Sequence, residues 1–310
     1  MQHRSLPLAL TGLCAAAALA LSASVSSPAN EQRTFATARE AAHAMLAAAE
    51  ADDVPALLLL LGPEGKDVIR SGDPVEDKNN RAKFVDKAKQ SLQVKINARD
   101  ESHAIILIGA DDYPFPIPLT RSAGRWHFDT PTGREEILAR RIGSNELDAI
   151  AACNAYVDAQ YDYATEDRNK NGVPEYARKL ISSPGQRDGL FWPESDAPPT
   201  KFAAGVNRAM AEGYRKQNGT PTPHHGYYFR ILMAQGPNAA DGAIEYVQHN
   251  SMIGGFGLVA WPAEYGVSGI KTFIVNQDRV IYDKDLGPST TANAEAIATF
   301  NPDRTWSRVR

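Results

Sequence analysis

The chain reads as an α+β protein of two successive layered units, and three observations carry that expectation. Apolar residues recur at helical spacing early on, at Ala41, Met45, Leu46 and Ala49, and fill the run Ala56 to Leu61. The last large apolar block alternates at strand period instead, in HHGYYFRILMAQ from His224, MIGGFGLVAWPAEYG from Met252 and IKTFIVNQDRVIYDKDLG from Ile270. Turn residues separate those strands, so a meander covered by a helix is the expected layer pair.

At 310 residues, with 43% hydrophobic and 23% charged content, the chain has the make-up of a globular protein of about two domains. A formal charge of -4 gives no electrostatic reason to expect nucleic acid or an anionic membrane as partner. Residues 1–29 read as a cleavable signal peptide: Arg4 supplies the positive start, Leu6 to Leu21 is apolar, and small residues follow at Ala18, Ala20, Ser22 and Ser24. Leu13 before Cys14 argues against a lipoprotein anchor, and no later stretch reaches spanning length. The expectation is a periplasmic protein with no membrane span in the mature chain. Loss of Cys14 leaves Cys153 as the one thiol, so no internal disulfide can form. Cys153 stands in a helical pattern among Ala151, Ala152 and Ala155, where a small core residue is favoured over a nucleophile.

The first unit is expected over residues 30–143. Thr37-Ala38-Arg39-Glu40 is a capping box that opens a helix. Asp53 and Pro55 open a second, apolar all round, which Gly62-Pro63 stops. Gly65 to Asp77 reads as polar turn, and Lys78 to Lys89 as helix. Gln93–Asn97 and Ala104–Gly109 are strand-like, and Tyr113 to Leu119, with Pro at every second residue, is suited only to an edge. Trp126-His127-Phe128 closes the sheet. Helices followed by such a sheet resemble the cone-shaped nuclear-transport-factor-2-like fold. That resemblance implies an interior able to hold a small ligand or an Asp/His pair, with His103, Asp111, Asp112, His127 and Asp129 as candidates.

The second unit is expected over residues 144–310. Thr132 to Arg141 reads as a short helix ended by Gly143, after which Ser144 caps a longer one to Thr165. Leu147, Ile150, Ala151, Asn154, Val157 and Tyr161 form its apolar stripe, to be laid on the later sheet. Asp167, Asn169 and Asn171 with Gly172 match the opening of a calcium loop, but Arg178 stands where a bidentate Glu belongs and Glu175 sits at the ninth position. Two readings follow: a structural calcium site of Asp167, Asn169, Asn171 and Glu175, or a turn whose side chains bond the local backbone. The low acidic charge favours the turn. A helix over Lys201–Tyr214 interrupts an otherwise loop-like stretch. His224, His225 and His249 do not suggest a metal site, because adjacent strand residues point to opposite faces. No Ser-His-Asp spacing, phosphate loop or zinc motif is present.

GYYFRILMAQGPNA, MIGGFGLVAWPAEYGVSG and TFIVNQDRVIYDKDLG, with DRNKNGVPEYA and GREEILARRIGSNEL before them, resemble the bacterial exported family of domain of unknown function 2950. The resemblance spans nearly all the mature chain and implies a Gram-negative envelope protein. The second half is also similar to the heads of type IV pilins and pseudopilins, without their long apolar N-terminal helix. The expected function is therefore non-enzymatic binding of an envelope partner through the exposed sheet face and loops of the second unit. The alternative is a small-ligand binder or hydrolytic or isomerase-type enzyme with its pocket in the first unit's cone.

Overall fold

The computed structural model of the chain describes residues 32–168, 170–191 and 222–310. The expected signal peptide, the helix over Lys201–Tyr214 and Asn169 fall outside these residues. Among the described residues no helix is long and apolar enough to cross a membrane.

The local signals of the first unit act as their chemistry dictates. Helix α1 (Ala38–Glu50) starts where Thr37 Oγ1 accepts from Glu40 N at 3.1 Å, while Glu40 Oε2 accepts from Ala36 N at 3.1 Å. Helix α2 (Val54–Leu61) starts where Asp53 accepts from Ala56 N at 3.0 Å, and it ends at Gly62, whose φ of +71° suits glycine. A 3₁₀ turn (Pro63–Gly65) and the single-turn helix α3 (Lys66–Ile69) lead to α4 (Pro74–Gln90). Helix α4 begins a full turn earlier than expected, because Asp73 caps it and Pro74 supplies the first helical residue.

The sheet that follows is antiparallel throughout. Strands β1 (Leu92–Asn97), β2 (Asp100–Ile108), β4 (Leu119–Ser122) and β5 (Arg125–Phe128) pair in that order, and β3 (Tyr113–Pro114) joins β2 alone. The proline-rich segment thus forms a two-residue edge, as its missing donors require. Ala41, Met45, Leu57, Leu60, Ile106 and Phe128 fill the space between helices and sheet.

Helix α5 runs unbroken from Thr130 to Tyr163, where a break at Gly143 was expected. A single glycine costs a helix interior about 1 kcal/mol, and packing at both ends outweighs it. Leu138 is buried in the first half, and Cys153, Tyr156 and Val157 belong to a second core. The buried face also differs from the apolar stripe read above. Leu147 is 69% exposed, while Asn145, Ala149, Cys153, Tyr156 and Gln160 face inward. The polar members pay their desolvation through main-chain partners: Asn145 Nδ2 donates to Ser268 O at 3.0 Å, Tyr156 Oη to Gly257 O at 3.0 Å, and Gln160 Nε2 to Ala177 O at 2.8 Å.

In the second unit β6 (Tyr227–Leu232) is followed by two small ribbons, β7 (Ala234–Gln235) with β8 (Ile244–Glu245) and β9 (Val247–Gln248) with β10 (Ser251–Met252). Strands β11 (Gly257–Pro262), β12 (Lys271–Asn276) and β13 (Tyr282–Asp285), helix α6 (Thr290–Glu295) and β14 (Ser307–Arg308) complete it. The main sheet has the order β14-β13-β12-β11-β6, with every pair antiparallel. Leu258, Ala260, Phe273 and Val275 face α5. The opposite face, expected to be open for binding, is covered: Leu232, Val259, Trp261 and Ile274 pack with Ala294 of α6 and with Phe300. Each such apolar side chain contributes about 1.5–3 kcal/mol when fully buried, so the final segment of the chain is part of the core.

Candidate functional site

A cluster of charged side chains lies where α4 and α5 meet the turn before β6. His224 to Tyr227 closes on itself, with His224 N donating to Tyr227 O at 2.8 Å and Tyr227 N to His224 O at 3.1 Å. Its central residues, His225 and Gly226, have φ of +48° and +72°, the signature of a type I′ turn. Three side chains hold it. Asp73 Oδ2 accepts from Gly226 N at 3.1 Å, and Asp148 Oδ2 lies 2.9 Å from His225 Nδ1. Asn145 packs so closely that a Cβ on Gly226 would come within 2.4 Å of its Nδ2.

Asp73 is fully buried, and its other oxygen, Oδ1, accepts from Val75 N and Glu76 N, both at 3.1 Å. It therefore caps α4 and grips the turn at once. Asp77 accepts from Ser71 N through both oxygens at 3.1 Å, and burial raises its carboxyl above the ordinary range. Arg141 reaches from α5 to the main chain, donating to Asp67 O at 2.6 Å and Val68 O at 2.7 Å. Burial lowers its guanidinium, against the pull of Asp77, Glu76, Asp67 and Glu264. Glu76 is the exception in this group. Its Oε2 is buried with no hydrogen-bond partner among the described residues. Burial first, and then the neighbouring Asp73, raises its carboxyl, with Arg141 and His225 opposing.

The residues singled out from sequence lie apart from this junction, except His224 and His225. Asp167 accepts from Asn171 N at 3.1 Å and Gly172 N at 2.8 Å. Asn171 Nδ2 donates to Glu175 Oε1 at 2.8 Å, and Met252 N donates to Glu175 Oε2 at 2.7 Å. Both carboxylates thus accept N–H bonds, as the side chains of a turn pinned to β10 do. Among the described residues no group of three or more His, Cys, Asp and Glu side chains is placed to hold a metal ion. In the first unit His103 pairs with Asp100 at 2.7 Å, Asp111 with Lys87 at 3.3 Å, and Asp112 accepts from Gln93 Nε2 at 3.0 Å. Asp129 caps α5 by accepting from Thr132 N at 3.4 Å, and His127 pairs across the sheet with Thr120. These groups do not converge. An open groove of about 190 Å³ on the outside of this unit is lined by Arg39, Ala42, His43, Leu92, Gln93 and Val94.

Cys153 is buried, and desolvation pushes its thiol up to about 12, so it has no nucleophilic character at neutral pH. A different feature of the second unit faces solvent. Tyr161, Tyr176 and Phe256 meet edge to face, with ring centroids 4.8–6.2 Å apart. Tyr176 N donates to Met252 O at 2.8 Å, which brings the Val173 and Ile253 segments side by side. Tyr161, Val173 and Ile253 are 40%, 39% and 45% exposed, and Arg279 covers the Tyr161 ring while pairing with Asp158 at 2.6 Å. Together these residues form an apolar ledge with a charged rim.

Sequence reading missed Asp73, Glu76 and Arg141. The available signal was Asp73-Pro74-Val75-Glu76, an N-cap, a proline and an acidic residue three positions on; it lay inside a stretch read as turn.

Two cores of helix on antiparallel sheet, joined by one helix and a charged junction, define an α+β protein. The chain belongs to the DUF2950 family, described as a protein of unknown function, whose family model matches residues 32–309. No curated protein and no solved structure matches it.

Proposed function

We propose that this is an exported, non-enzymatic protein of the Gram-negative envelope that binds a partner in the periplasm. The observation that carries this reading is the apolar ledge of Tyr161, Val173 and Ile253 beside Tyr176, which leaves large side chains in solvent. The junction supports it from the other side: Asp73, Asp77 and Arg141 are engaged with main-chain groups, as structural side chains are. The leader-like residues 1–29 supply the route of export. The succession of helices and antiparallel sheet in the first unit supports a cone of the nuclear-transport-factor-2-like kind. The helix on a meander in the second supports kinship with pilin heads.

A photo-crosslinking residue at Ile253, in protein expressed in the periplasm, tests the binding reading. The expected result is a discrete adduct that is lost in Tyr161→Ser and not formed from a crosslinker at Lys95. The same adducts from both positions, or none, would overturn it. A second reading is favoured by the groove beside Arg39 and His43, one helical turn apart on α1 with Gln93 across from them. Those donors suit a small anionic ligand, and a calorimetric titration with short-chain carboxylates and phosphate would test it, with Arg39→Ala abolishing any heat.

A further inference from the structure

The junction is held in part by a main-chain N–H hydrogen bond between the units. Gly226 N donates to Asp73 Oδ2 across it. Asp73 also accepts from Val75 N and Glu76 N at the start of α4. Glu76, one helical turn along, has a buried Oε2 that meets no donor among the described residues. A second negative charge there would face Asp73 through protein rather than water, without a hydrogen bond to offset its desolvation.

We propose that Glu76 is a proton-binding group that fastens the His224–Tyr227 turn onto α4, and that release of its proton to solvent loosens the junction between the two units. The charged groups facing Glu76 are Asp73 and Asp77 from α4, Arg141 from α5 and His225 from the turn. Behind them stand Asp67 and Glu264 near Arg141, and Asp148 against His225. Arg141 is already committed to Asp67 O and Val68 O, so its charge moderates the repulsion without supplying the missing hydrogen bond. The direction follows from the raised carboxyl. A raised carboxyl contributes its full stability below its unfolded value and loses it as pH rises through the folded value. The His225–Asp148 contact is an ion pair only when His225 is protonated. His225 holds a left-handed backbone conformation, and a turn so constrained has little freedom to follow when its anchor shifts.

The turn and α4 therefore close at acid pH and open as pH rises. Hydrogen exchange of the full chain, followed at the Gly226 amide and corrected for intrinsic rate, reads this directly. Opening should increase about tenfold or more between about pH 5 and about pH 8, as the proton is released. In Glu76→Gln it should change less than about twofold, and in Asp148→Asn the rise should persist, which separates Glu76 from the His225 pair. A flat wild-type profile, or a rise retained in Glu76→Gln, would overturn the proposal. Should Glu76→Gln fail to fold, infrared titration of the wild type decides. A protonated carboxylic acid band must persist above the ordinary glutamate range and vanish in step with Gly226 opening, and its absence refutes the assignment.

Discussion

Replacement of Gln160 by Met tests whether α5 is held to its sheet by polar bonds rather than by apolar fit. Gln160 is fully buried and makes a two-way clasp on Ala177, its Nε2 donating to Ala177 O at 2.8 Å and its Oε1 accepting from Ala177 N at 2.8 Å. It also donates to Tyr156 Oη at 2.9 Å. Met has nearly the same volume and shape, so the cavity contribution is below about 1.5 kcal/mol. The larger loss is the two main-chain groups of buried Ala177, each costing about 1–3 kcal/mol when left unpaired. The sum is a destabilisation of about 2–6 kcal/mol. Tyr156 keeps its own bond to Gly257 O and should add little. Urea unfolding followed by circular dichroism measures the change as a lower midpoint at unaltered slope. Gln160→Glu retains the acceptor for Ala177 N but buries a carboxylate, so its deficit should deepen as pH rises. A Met variant within about 1 kcal/mol of wild type would refute the reasoning, because it would mean that the clasp is replaced at no cost.

Gly226→Ala should cost about 2–5 kcal/mol, from the left-handed backbone and the collision with Asn145 Nδ2 at 2.4 Å, and a denaturation midpoint would show it. Native protein should leave Cys153 unmodified by iodoacetamide at neutral pH, with labelling only on unfolding, since the thiol is buried and pushed up to about 12. Chelation should shift the melting temperature by less than about 1 °C, because Asp167 and Glu175 already accept N–H bonds; a calcium-dependent rise of several degrees would restore the ion-binding reading.

What could be read from sequence was the chemistry that acts over three or four residues. Thr37 with Glu40, Asp53 with Pro55, and Gly62 set helix ends through bonds to adjacent main chain, and the prolines from Pro114 to Pro118 confined their strand to two residues. What could not be read depended on distant partners. Asn145 and Gln160 look like surface residues until Ser268, far along the chain, and Ala177, beyond the end of α5, supply their hydrogen bonds. Gly143 looks like a stop until both halves of α5 are seen to be buried at once. The cover over the second sheet face comes from α6 and Phe300, whose weak apolar pattern gave little sign of it. Among candidate residues, His224 and His225 mark the junction, yet Glu76 becomes notable only because no donor among the described residues reaches its Oε2.

The unbroken course of α5 makes it a ruler between the two cores. Its 34 residues span about 50 Å at the usual rise, and each residue turns the helix by about 100°. The angular phase between Leu138 and the Asn145–Gln160 face is thus set by a count of residues, with no loop to absorb an error. One residue inserted at exposed Leu147 would leave a sound helix whose two ends demand incompatible rotations. Seven inserted residues would nearly restore the phase while pulling Asp73 away from Gly226 by about 10 Å. Length changes in this region are constrained by geometry even where the individual side chains touch nothing.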